Sequence, residues 1–275
     1  MSEKYGDRSG REPHHRNEQL KGNYSMHFDF NGQIALVTGA TRGIGKQIAD
    51  DLYDLGAQLI LTGTNPDQIQ ELNSKLPKEK HGRVEYIHAK FDSTESLSSF
   101  INTLRKFNKI DVCINNAGIN RINNIDETLV NDWDDIIAVN LKAPFLIIRE
   151  IAKTMKKNNY GRIVNIASIF GVVSRAKRSI YTTSKFGLRG LTLSVANELA
   201  RHNILVNSVS PGFVLTELTR SILSKKEMEE LATQVPVGRL ATTDDISSVV
   251  IFLASSLNSY IAGQNVVADG GFVNV

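Results

Sequence analysis

T-G-A-T-R-G-I-G, Thr38 to Gly45, is the stretch that decides the fold. It follows an apolar run at residues 34–38 that reads as a buried strand, and it opens a helical pattern to about Leu55. Such a turn lets backbone N–H groups approach a pyrophosphate at the helix N-terminus. Gly39 permits the turn, while Gly43 and Gly45 remove side chains where phosphate and helix come close. A glycine triad alone is weak evidence, because tight turns use glycine anyway. Its place between strand and helix carries the reading, and makes Gly39, Thr41, Arg42, Gly43 and Gly45 a candidate dinucleotide cradle.

Outward from this turn, short β-rich runs alternate with longer helical ones. Residues 58–63, 84–88, 112–115, 163–166, 205–209 and 265–268 read as further strands. Asn65 and Pro66 look like an N-cap and first-turn proline of a helix to about Leu76. Residues 94–107, 131–157 (bent near Pro144) and 181–201 read as helices, and Asp244 as the cap of another to about Ser255. Strands separated by helices of ten or more residues imply parallel pairing, hence an α/β, Rossmann-type doubly wound sheet. Ligands then sit beyond the carboxyl ends of the strands. Gly39 to Gly45, Asn115 to Gly118, Ser168 and Pro211-Gly212 each follow a strand, so they should share one rim.

The bulk numbers fit this picture. The 275 residues suit one large domain over 28–275, with residues 1–27 a polar, unpatterned flexible extension. His14 and His15 stand there without further ligands at metal-binding spacing, so no metal site is expected. A net charge of +3, from 32 basic and 29 acidic residues, points to no nucleic-acid partner. No apolar run approaches the roughly 20 residues of a spanning helix, so no membrane partner is expected. The lone Cys113 fits a reducing compartment, the cytoplasm, and reads as a buried small hydrophobe.

The nucleotide's identity turns on the end of the second strand. A carboxylate about twenty residues past the glycines usually binds the ribose 2′-hydroxyl of NAD. Here the chain reads L-T-G-T-N-P, with Thr64 and no acid. Arg42 can meet a 2′-phosphate instead, or it is only a solvated loop residue. The balance favours NADP(H), with NAD(H) open.

Tyr181 and Lys185 lie one helical turn apart in Y-T-T-S-K, with Ser168 thirteen positions upstream. A free phenol, with a pKa of about 10, is a poor base near neutrality. A nearby ammonium lowers that value, and Lys185 at i+4 shares a helix face with Tyr181. A hydroxyl such as Ser168 holds a carbonyl oxygen near the phenol. The pair alone also fits an ordinary surface contact.

T-G-x-x-x-G-x-G at Thr38 to Gly45, N-N-A-G at Asn115 to Gly118, Ser168, Y-x-x-x-K at Tyr181 to Lys185 and Pro211-Gly212 occur in one order. In that order the chain, from about residue 28 onward, resembles the single-domain short-chain dehydrogenase/reductases. The resemblance implies that Tyr181 is the acid/base and that Lys185 also holds the nicotinamide ribose. Ser168 then orients the substrate carbonyl, and Asn140 in A-V-N-L supports a water relay to the lysine. Read alone, Asn140 equally fits a side chain bonding backbone at a helix irregularity. Further matches are Ile44 after the second glycine, Asp92 near the adenine, and Asn115, Ala117 and Gly118 on the adenosine-side loop. Thr216 matches a hydroxyl near the carboxamide. Pro-S hydride transfer and a homodimer or homotetramer are also implied.

The segment after Gly212, F-V-L-T-E-L-T-R-S-I-L-S-K-K-E-M-E-E-L, is amphipathic and suits a substrate lid or an ordinary surface helix pair. Q-V-P-V-G-R-L through A-D-G-G is similar to 3-oxoacyl-[acyl-carrier-protein] reductases, which implies a carbonyl substrate carried on that protein. R-A-K-R-S-I before Tyr181 departs from that likeness in being more basic. It suits an acidic substrate or carrier, or an exposed loop, and leaves sugar, polyol and other alcohols open. A non-catalytic nucleotide-binding regulator is a third reading, but it would more often have lost the tyrosine or lysine.

Overall fold

In the computed structural model, which describes residues 27–274, the expected alternation is present. The flexible extension assigned to the N-terminus lies, up to residue 26, outside the described residues. The strands are β1 (Ile34–Val37), β2 (Gln58–Gly63), β3 (Val84–His88), β4 (Val112–Asn115), β5 (Gly161–Ile166), β6 (Ile204–Pro211) and β7 (Asn265–Ala268). They form one sheet in the order β3-β2-β1-β4-β5-β6-β7, parallel throughout. The helices are α1 (Gly43–Asp54), α2 (Pro66–Ser74), α3 (Thr94–Leu104), α4 (Val130–Ile137) and α5 (Ala143–Asn158), then α6 (Ser179–Leu199), α7 (Glu217–Ile222), α8 (Lys225–Thr233) and α9 (Thr243–Ala254).

Side chains alternate across a strand, so each strand feeds two cores. Ala35, Val37, Val112 and Ile114 join Ile48 and Leu52 of α1 and Ile246 and Val250 of α9 on one side. Leu36 and Cys113 join Phe100 of α3, Ile147 and Ile151 of α5 and Leu199 of α6 on the other. Each fully buried Leu, Ile or Phe contributes roughly 1.5–3 kcal/mol, which is why both faces need a helical cover. Strand order reverses between β1 and β4, and that reversal opens a crevice at their carboxyl ends.

Asn65 caps α2 as expected, its side chain accepting from the Gln68 N–H at 3.1 Å. Three local expectations need correction. Thr242, not Asp244, caps α9: its hydroxyl accepts from the Asp245 N–H, and the Asp245 carboxylate reaches back to the Thr242 N–H. That reciprocal pair satisfies two orphan donors, and Asp244 only sits in the first turn. Pro211 ends β6 rather than following it, pairing in register with Ala268 at the strand terminus.

The long helix over 131–157 is interrupted at Ala138–Lys142 by a π-helical turn, ahead of Pro144. Pro144 has no N–H to give the Asn140 carbonyl, and the Ala143 N–H bonds back five residues to Ala138. The proline itself sits comfortably in the first turn of α5.

Candidate active site

The crevice at the β1/β4 reversal is a cleft of about 450 Å³. Gly39, Thr41, Arg42, Gly43, Ile44 and Gly45 form one wall. Thr64, Asp92, Ala117, Gly118 and Thr216 complete it. The glycines are needed where they stand. Gly39 and Gly43 have φ of 64° and 57°, the left-handed region. A Cβ on Gly39 would lie 3.0 Å from the Ala117 Cα, and one on Gly45 would collide with the Asn116 amide and the Gly39 carbonyl. Backbone therefore lines the floor of the cleft, as a phosphate cradle requires.

Thr38 and Asn116 hold the two walls together. The Thr38 hydroxyl accepts from the N–H groups of Asn116 and Ala117, both at 3.0 Å. The Asn116 amide donates to the carbonyls of Thr38 (3.0 Å) and Gly39 (2.9 Å). Asn115, expected at the cofactor, turns the other way. It is buried in β4 and donates to Asn165 Oδ1 at 2.8 Å; Asn165 donates to Thr192 Oγ1 on α6 at 2.9 Å. Asn115 thus ties the sheet to the helix that carries Tyr181. Pro211 and Gly212 also stay off the cleft wall. A Cβ on Gly212 would lie 2.8 Å from the Asp269 Cα, so this glycine serves a close backbone approach.

Around the mouth, Arg42 is exposed at the N-cap of α1, and among the described residues it forms no ion pair. No acid stands directly at the end of β2; Thr64 is there, and Asp92 pairs loosely with Lys90 at 3.7 Å. Thr216 caps α7 and lies over the turn, its methyl 3.5 Å from where a Gly43 Cβ would be.

The candidate proton-transfer residues adjoin this cleft. Seen from Gly118, the position of a Cβ is 3.5 Å from both Lys185 Nζ and Asn140 Oδ1. Lys185 is buried and donates to the Ile166 carbonyl at 2.8 Å. Asn140 occupies the π-helical turn, where Oδ1 accepts from the Ile119 N–H and Nδ2 donates to the Ile119 carbonyl, both at 2.9 Å. Nδ2 also donates to Ser184 Oγ at 3.0 Å. Asn140 thus bonds backbone at a helix irregularity, and those bonds place its side chain beside the lysine. Ser168, two residues beyond β5, is buried; its hydroxyl accepts from the Phe170 N–H at 3.1 Å, and it lies near enough to the Tyr181 phenol to favour its ionised form. Phe170 packs edge-on against the Tyr181 ring, centroids 6.4 Å apart.

The electrostatics correct one expectation. Burial pushes the Tyr181 phenol above its ordinary value; the bond with Ser168 and the Arg178 guanidinium pull it only part-way back. The phenol is thus not made acidic here. Burial holds Lys185 itself down to about 8, and its hydrogen bond goes to a carbonyl. Desolvation is the largest influence on both groups.

Sequence comparison decides the relationship. The family described as enoyl-(acyl carrier protein) reductase matches residues 39–273. A 3-oxoacyl-[acyl-carrier-protein] reductase of Aquifex aeolicus (strain VF5) is 36% identical over 247 residues, 90% of this chain and 99% of its own. That of Escherichia coli (strain K12) is 36% identical over 248 residues, 90% of this chain and 100% of its own. The chain belongs to the short-chain dehydrogenase/reductase family. A gluconate 5-dehydrogenase of Burkholderia cenocepacia J2315, solved with NADP and tartrate, superposes with a TM-score of 0.82 at 27% identity. The match covers 90% of this chain and 98% of that one. As a short-chain dehydrogenase/reductase, the protein is an NAD(P)-dependent oxidoreductase of CH–OH groups.

Within this short-chain dehydrogenase/reductase, Thr38, Asn116 and Ser184 support the site and escape sequence reasoning. N-N-A-G flagged the right loop, but only the end of β4 decides which asparagine faces the cleft. Arg178, the cation that pulls the phenol down, sits in the basic R-A-K-R-S-I segment.

Proposed function

We propose that the chain is an NADP(H)-dependent carbonyl reductase, its leading substrate class a 3-oxoacyl thioester on an acyl carrier protein. The observation that carries the reaction is the convergence of Gly118, Lys185 and Asn140 beside a glycine-walled cleft, with the Lys185 ammonium 5.6 Å from the centre of the Tyr181 ring. The glycine turn fits a pyrophosphate, and Arg42, free of any ion pair among the described residues, suits a 2′-phosphate. When bound, NADPH supplies the hydride. Tyr181 donates its phenolic proton to the substrate oxygen, and Ser168 holds that oxygen. Lys185 steadies the ribose and refills the proton from solvent through Asn140. A phenol pushed up by burial stays protonated at neutral pH, which suits the donor in reduction. The substrate class rests on the 3-oxoacyl reductase relatives; α7 and α8 form its lid.

A sugar-acid or polyol dehydrogenase is the second reading, supported by the close superposition with gluconate 5-dehydrogenase. The exposed apolar Phe145 of α5 and Phe186 and Leu193 of α6 suit a homodimer or homotetramer. Free, buried Cys113 fits the cytoplasm as its compartment. No helix among the described residues is long and apolar enough to cross a membrane.

The test is a panel of 3-oxoacyl thioesters, keto sugars and keto acids assayed with NADPH and NADH, following nicotinamide absorbance. Turnover of the thioesters with NADPH supports the leading reading. Turnover of keto sugar acids alone replaces it with the second, and turnover of none rejects both.

A further inference from the structure

Arg178 stands three residues before Tyr181, at the N-cap of α6. Its guanidinium is half-buried and lies 5.6 Å from the centre of the Phe170 ring, the ring that packs against Tyr181. It acts electrostatically on the phenol, and the Arg175 guanidinium adds positive charge to it from nearby. Among the described residues, no carboxylate forms an ion pair with Arg175, Lys177 or Arg178.

Removing a guanidinium from water without an anion is costly. The chain holds it there nonetheless. Lys177 takes φ 66°, a left-handed conformation that side chains other than glycine rarely adopt. The segment is pinned to α6 by the Ser174–Thr182 hydroxyl pair at 3.4 Å and by Arg189, which donates to the Gly171 carbonyl. Burial also lowers the Arg178 pKa, but a guanidinium remains charged at neutral pH.

We infer that Arg178, assisted by Arg175, receives an oxyanion carried by the substrate: a carboxylate or a phosphate on the molecule whose carbonyl meets Tyr181. The inference rests on the carbonyl-reductase reading and narrows its substrate class. A guanidinium fork matches either oxyanion bidentately, and a half-dry site strengthens that bond. Two sources share this chemistry, the free carboxylate of a short oxo acid and the phosphate of a phosphopantetheine arm.

The experiment compares wild type, Arg178→Gln and Arg178→Lys with NADPH on two matched pairs. One pair is 3-oxobutanoate and its neutral ethyl ester. The other is the 3-oxobutanoyl thioester of 4′-phosphopantetheine and that of pantetheine. Arg178→Gln should lower kcat/KM for the charged member of one pair about 10- to 100-fold more than for its neutral partner, chiefly through KM. Arg178→Lys should recover part of that selectivity. The pair that responds identifies carboxylate or phosphate. Equal losses on charged and neutral members, with a moved pH profile, would overturn the inference and leave Arg178 acting only on the phenol.

If wild type reduces none of the four, the carbonyl reading fails for these compounds, and charge recognition is read from thermal stabilisation instead. Stabilisation by 3-oxobutanoate or by the phosphopantetheine thioester beyond its neutral partner, lost in Arg178→Gln, supports the inference. Equal behaviour of charged and neutral members overturns it.

Discussion

Lys185 gives its hydrogen bond to the Ile166 carbonyl at 2.8 Å, and its ammonium lies 5.6 Å from the centre of the Tyr181 ring. The lysine is anchored to the sheet and lies between the cleft wall at Gly118 and the phenol ring. A buried ammonium with a single carbonyl partner burdens the fold. Its folded pKa of about 8 lies below the ordinary 10.5. Between those values the unfolded chain binds more protons than the folded one, so stability rises with pH there. Below pH 8 the full cost applies, about 3 kcal/mol for that gap.

Lys185→Met should therefore stabilise the nucleotide-free protein at pH 7 by about 1–3 kcal/mol, allowing for the lost bond to Ile166. The gain should shrink as pH rises towards 10. Urea unfolding at both pH values checks this, and a gain that does not change with pH contradicts it.

Arg42→Ala should raise KM for NADPH about 10- to 100-fold while changing KM for NADH little, as loss of a charge-assisted bond to a 2′-phosphate requires. Initial rates with each nucleotide decide it. Equal effects on both undo the 2′-phosphate assignment.

Gly45→Ala places a methyl into the Asn116 amide and the Gly39 carbonyl. Strain in so close a site costs typically 1–3 kcal/mol. The variant should unfold at lower urea and lose NADPH binding in fluorescence titration. Wild-type affinity in a folded Gly45→Ala protein would show that the turn tolerates a side chain.

Much of this was legible because it depends on local spacing. The glycine turn behind an apolar strand, the Asn65–Pro66 helix start and the four-residue step from Tyr181 to Lys185 need no tertiary information. What escaped depends on distant partners. Asn115 and Asn116 are adjacent, yet one bonds Asn165 in β5 and the other the backbone of Thr38 and Gly39. Asn140, within the helix break ahead of Pro144, bonds Ile119, 21 positions earlier, a partner that no local pattern announces. Phenol acidity is not legible in helical spacing, which reports proximity, whereas burial sets the sign of the shift.

Tyr181→Phe tests the central claim most directly, because it removes one proton donor and leaves the ring against Phe170. The measurement pairs single-turnover reduction of an accepted carbonyl with NADPH titration of the same protein. The account predicts a fall in the reduction rate of at least about a hundredfold, with NADPH affinity within about threefold of wild type. Turnover close to wild type would contradict it and move the proton donor to another residue.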